Sequence, residues 1–82
     1  MENSFLYSVD AFWDAEATVW VATSDEVLGL ATEAPTIEQL TQKLRFLIPE
    51  LIQLNQLLPS DYQGSIDFEL ISHRQESIQV AA

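Results

Sequence analysis

Three carboxylates and one histidine are the residues most suited to chemistry in this chain. Asp10 lies in an early alternating stretch, Asp67 and Glu69 alternate along a late one, and His73 ends it. Carboxylates on neighbouring parallel strands can hold a divalent cation for phosphodiester hydrolysis. A nuclease also needs a basic surface for its substrate. Here 13 acids face only Lys43, Arg45 and Arg74, for a net charge of -10. Phosphates and anionic lipids would be repelled. If the nuclease reading were right, magnesium-dependent cleavage would be abolished by Asp10→Asn; none is expected. His73 is the single histidine, with no nucleophile to serve, and reads as surface. The absence of cysteine excludes a disulfide framework and a thiolate zinc site. The expectation is a non-enzymatic protein, with no catalytic residue, metal or cofactor.

A chain of 82 residues makes one small domain, taken here as 1–82. Domains of this size bury only about 60% of their unfolded surface, which favours association of subunits. A hydrophobic fraction of 48% is ordinary for a globular protein. The N-terminal stretch MENSFLYSVD shows no signal peptide, and no apolar run approaches a membrane span. A cytoplasmic protein is expected. Its acidity serves solubility and also draws basic partners.

The elements that must position the carboxylates follow from periodicity. Residues 4–13, SFLYSVDAFW, alternate as a strand, and 17–24 form a second one rich in β-branched and aromatic types. A three-residue loop, Asp14 to Glu16, would set Val9 opposite Val21 and Asp10 opposite Trp20. Odd positions of both strands then share one apolar face. Ser24-Asp25-Glu26 turns the chain, and residues 28–32 read as a short third strand, with Gly29 marking a bulge or an unusual backbone angle.

Pro35 ends that strand. Thr36-Ile37-Glu38-Gln39 fits a capping box, with Glu38 in the first turn. Ile37, Leu40, Leu44, Leu47, Leu51, Leu54 and Leu58, with Ile48 and Ile52, make one broad stripe of a helix lying on a sheet. Heptad spacing invites a leucine-zipper reading, but Pro49 and the stripe's width argue for core. Pro49 predicts a kink or break after Ile48. Phe46 and Leu57 fall on the back of this helix, as spare apolars or a subunit contact. Leu58-Pro59-Ser60 stops it, a loop runs to Gly64, and residues 65–73 form a fourth strand. Ser77 to Val80 is a weak last strand that could pair within or between subunits, so Ile78 and Val80 are further candidate oligomer contacts.

The fold class is therefore α+β: a two-layer β-β-β-α-β(-β) arrangement, sheet order 3-2-1-4, with one helix on one face. A right-handed crossover makes the fourth strand parallel to the first. The uncovered face then carries Leu6, Asp10, Phe12, Trp20, Asp67, Glu69, Ile71 and His73. Aromatics are rarely left bare on so small a domain, which points to a contact surface.

The run from Asp14 to Leu40, D-x5-WVATSDEV-x-GLATEA-x-T-x-E-x-L, resembles the HicB-like antitoxin N-terminal domain, and especially short bacterial relatives of unknown function. The resemblance implies a partial ribonuclease H-like sheet without the nuclease site. It also implies a role in neutralising a small basic toxin of HicA type, an RNA-cleaving protein with a double-stranded-RNA-binding-domain fold. The family's frequent proline before the signature glycine is Leu28 here. Nothing after His73 is long or basic enough to match the DNA-binding segment that typical members carry.

Two functions are expected from this. The first is binding of a small basic protein through Asp10, Phe12, Trp20, Asp25, Glu26 and Ile71. The alternative is a homo-oligomeric module without a toxin, associating through the open face or Ile78 and Val80, with room for a small ligand between subunits.

Overall fold

The structure is a computed structural model describing residues 4–59 and 61–81. Ser60, read above as part of the helix stop, lies outside the described residues, as do Met1 to Asn3 and Ala82. Strands β1 (Ser4–Asp14), β2 (Val19–Thr23) and β3 (Ala31–Ala34) precede helix α1 (Ile37–Leu54), and β4 (Ser65–His73) follows it. The sheet order is β3-β2-β1-β4, with β4 parallel to β1 and the other pairs antiparallel. The α+β class, the order and the single helix agree with the sequence reading.

The β1–β2 register does not. Asp10 pairs with Thr23 and Trp13 with Trp20, so the connection after Asp14 spans residues 15–18. Asp14 Oδ1 accepts the N–H groups of Glu16 (3.1 Å) and Ala17 (3.2 Å), and Thr18 takes the left-handed φ of 53°. The observed pairing is three residues away from the expected one. Because side chains alternate with period two, an odd shift turns β2 over. Trp20 and Ala22 therefore face the helix, beside Trp13 and Ala11.

Further boundaries differ too. Residues 28–30 form a reverse turn rather than a strand: Leu30 N–H donates to Val27 O (3.2 Å), and Gly29 has φ +83°, the value required at the third position of a type II turn. The turn buries Val27 and Leu30, which periodicity alone did not assign to the core. Residues 77–80 carry no strand.

Helix α1 begins at the expected cap, where Thr36 Oγ1 accepts the Gln39 N–H at 3.1 Å. It runs through Pro49 without a break. Proline removes the donor for the Arg45 carbonyl, but Arg45 is exposed, so water can take its place. The helix ends at Leu54, a turn earlier than expected. Gln56 adopts φ 54°, Leu57 N–H donates to Ile52 O (3.0 Å), and Gln56 N–H donates to Gln53 O (3.2 Å). This is a Schellman closure, with glutamine where glycine is usual. Its reversal folds Leu57 back against the core, so Leu57 does not lie on the back of the helix. Phe46 does, and is exposed.

The core lies between the sheet and α1. Val9, Ala11, Trp20, Ala22 and Ala34 from the strands meet Leu40, Leu44, Ile48 and Ile52 from the helix, closed at one end by Val27 and Leu30. Tyr7, Ile66, Phe68 and Leu70 pack at the margin and remain half-buried.

Candidate functional site

The face of the sheet away from α1 presents even positions of β1 and odd positions of β2, β3 and β4. Leu6 is 59% exposed, Phe12 47% and Ile71 42%, the three large apolar side chains that stand bare there. Asp10 pairs in register with Ile71, Leu6 with Asp67 and Ser8 with Glu69. The face is therefore a patch of apolar side chains interleaved with Asp10, Asp14, Asp67, Glu69 and Glu33. Each carboxylate is there because strand alternation puts it there.

All three basic residues lie elsewhere. Lys43 and Arg45 are on α1, and Lys43 Nζ donates to Glu33 O at 2.6 Å. The Arg74 guanidinium sits on the helix side of the sheet, 4.3 Å from the centre of a Trp13 ring and 5.9 Å from Trp20. The rings of Trp13 and Trp20 are themselves 5.5 Å apart, tilted at 58°. Cation–π attraction of this kind holds Arg74 off the acidic face. The sequence reading missed this cluster, because only the observed register brings the two indoles together.

At one end of the open face, His73 stacks on Phe12 with ring centres 5.2 Å apart, and its Nε2 lies 3.8 Å from Asp10 Oδ1. Phe12 and His73 are Cα partners across β1 and β4, which brings their rings together. Glu69 Oε1 accepts the Ser8 hydroxyl at 2.8 Å. These pairings tie the carboxylates to different neighbours. Among the described residues, no group of three or more His, Cys, Asp or Glu side chains could hold a metal ion.

Of the residues proposed to bind a partner, Asp10, Phe12 and Ile71 share the open face as expected. Trp20 does not: it is 9% exposed, under the helix. Asp25 and Glu26 occupy the turn after β2. Glu26 serves the fold, its Oε1 accepting the Ser8 N–H at 2.5 Å, while Ser24 Oγ donates to Ser8 O at 2.7 Å and accepts the Val27 N–H at 3.1 Å. The turn thereby pairs β1 where β2 has already ended. Asp25 stays exposed.

Beyond the helix end, Ile52, Leu57, Leu58 and Tyr62, with Gln53 and Gln56, line an open cleft of about 840 Å³. Among the described residues, no charged side chain lines it. No helix among the described residues is long and apolar enough to cross a membrane.

The hypothetical protein TTHA1013, from the extremely thermophilic bacterium Thermus thermophilus, has a similar crystal structure. The identity is 40% and the TM-score 0.70, over 89% of this chain and 99% of that one. No curated protein matches the chain. Residues 6–82 match a domain of unknown function, DUF1902, and the chain belongs to that family.

Proposed function

We propose that this is a non-enzymatic, HicB-like binding protein of the cytoplasm that docks a small basic protein, such as a toxin of HicA type, on the open face of its sheet. One observation carries the reading: Leu6, Phe12 and Ile71 stand exposed among carboxylates, in a chain of net charge -10 whose basic residues all lie off that face. Phe12 and Ile71 make a small apolar pair with carboxylates around it and Leu6 further along β1, a mixture of apolar and charged groups that suits a protein-binding patch. The acidic field would speed encounter with a cation-rich partner and orient it. Two of the three apolar residues, Phe12 and Ile71, sit beside Asp10, so one basic side chain can pair with Asp10 while its stem covers them.

The test is co-expression with the small basic protein encoded beside this gene, followed by co-purification at low ionic strength. A complex is expected that weakens as salt rises and weakens further with Phe12→Ser and Ile71→Ser, by about 1–2 kcal/mol each. If no such neighbour exists, or none co-purifies, the reading fails.

Exposure of Ile78 and Val80 on the segment after β4 favours a second reading, self-association into a homo-oligomeric module.

A further inference from the structure

We infer that residues 74–80 of one copy add as an antiparallel strand to the outer edge of β4 in a second copy, reciprocally, about a two-fold axis at His73. This rests on the self-association reading and is independent of the basic partner.

The edge is open. β4 ends the sheet order and, among the described residues, has no strand on its outer side. The Ser8 N–H and C=O point away from β4, toward the turn at Ser24 and Glu26, so odd residues of β1 address β4. With Val9 paired to Leu70 in a parallel ladder, odd residues of β4 point their backbone groups back at β1. Those of Ile66, Phe68, Leu70 and Ser72 therefore face outward. Such a row of unpaired donors and acceptors is a template for another strand. Edge addition by an extended segment is a recurrent mode of association.

The arm is extended and bare. Residues 74–81 are exposed and carry no regular structure, with Ile78 at 86% and Val80 at 84% exposure. The molecule measures 63 Å along its long axis against 25 and 20 Å across. At ~3.3 Å per residue, β1 supplies about 36 Å of that length, and an extended arm that continues β4 past the end of β1 contributes to the remainder.

The two segments match by parity. Arg74, an even position, lies on the helix side over Trp13, as do the even residues Ile66, Phe68 and Leu70 of β4. Ile78 and Val80 share that parity. Setting Ile78 opposite Phe68 of the second copy places Val80 opposite Ile66, Ser72 opposite Arg74, and His73 opposite itself. Two apolar side chains left half-buried at the margin of the core, Ile66 and Phe68, then gain apolar partners, while Leu70 lies opposite Glu76 with Ile78 on its diagonal. On the other face, Gln79 and Ser77 meet Asp67 and Glu69 as hydrogen-bond donors. Moving the register by two residues one way opposes Arg74 to its own copy, an unfavourable like-charge pair. Moving it the other way leaves Val80 opposite Gly64 and Phe68 opposite Glu76, so that Ile66 with Ile78 is the one apolar pair against two in the register chosen.

Both copies are strongly acidic, so salt should tighten this contact by screening their repulsion, whereas it loosens a basic partner. The experiment is sedimentation velocity of the full chain across protein and salt concentrations, with the double variant Ile78→Asp/Val80→Asp and the variant His73→Cys. A dimer that tightens with salt is expected. The double variant should weaken it about tenfold or more, with circular dichroism unchanged, and with melting temperature unchanged at protein concentrations where both chains are monomeric, because the arm lies outside the core. Oxidised His73→Cys should form a disulfide-linked dimer, since cross-strand pairs of this kind fall within disulfide reach. A dimer unaffected by the double variant overturns the arm exchange and leaves self-association standing. A monomer at every concentration overturns both. A dimer weakened by the double variant but not linked through His73→Cys overturns the register.

Discussion

On the face under α1 the sheet presents Val9, Ala11, Trp20, Ala22 and Ala34, all buried; on the opposite face Leu6, Phe12 and Ile71 stand exposed among Asp10, Asp67 and Glu69. The same strands build both faces by the same alternation. One face is stabilised by losing contact with water. The other leaves apolar area in water, with the stacking of Phe12 on His73 as a partial cover. In so small a domain, the helix face has to supply nearly all of the stability, which leaves the open face available for a partner.

Substitutions at the two faces should therefore differ in kind. The largest effect is expected at Leu44, fully buried at the middle of the helix stripe. Leu44→Ala should cost about 3 kcal/mol in urea unfolding, a large fraction of the total for a domain of this size. A loss under about 1 kcal/mol would mean that α1 does not form a packed layer. Thr36→Ala removes the acceptor for the Gln39 N–H and should cost about 1 kcal/mol, while Thr36→Gly should cost only a few tenths. Gln56→Gly should stabilise by about 0.5–1 kcal/mol, because Gln56 closes the covered layer at a positive φ that glycine adopts without strain. On the open face, Leu6→Ser should change stability by less than about 0.5 kcal/mol. A cost there as large as at Leu44 would show that the open face is part of the folding core, and the contrast between the faces would be lost.

Much of this was legible in the residues. Thr36 to Gln39 marked the helix start because a threonine acceptor three residues before an amide is a local device needing no tertiary contact. The alternation of Ile66, Phe68 and Leu70 placed β4 at its observed bounds, since the flanking polar residues end the pattern. Asp10, Phe12 and Ile71 could be put on one face because parallel pairing through a right-handed crossover leaves little freedom. The misses have physical causes. Periodicity carried the helix to Leu58, but the chain reverses at Gln56, which takes a left-handed conformation without the glycine that normally announces it. Val27 escaped notice because it is buried by a turn, and turns have no period. Pro49 reads as a breaker, yet it sits where its missing hydrogen bond can be replaced by solvent.

The amino-acid pattern alone established four strands, one capped helix, their order, and an acidic surface without a basic counterpart, because propensity, capping and charge are local properties. Which face Trp20 occupies was decided only in three dimensions. Asp14 gathers the loop amides and Thr18 accepts a positive φ, so the hairpin closes with Trp13 beside Trp20. The odd shift in register moves a large aromatic from the expected binding face into the core, where Arg74 covers it. Pairing energy summed over the whole hairpin, with the helix above it, sets that register, and no single residue in the loop declares it.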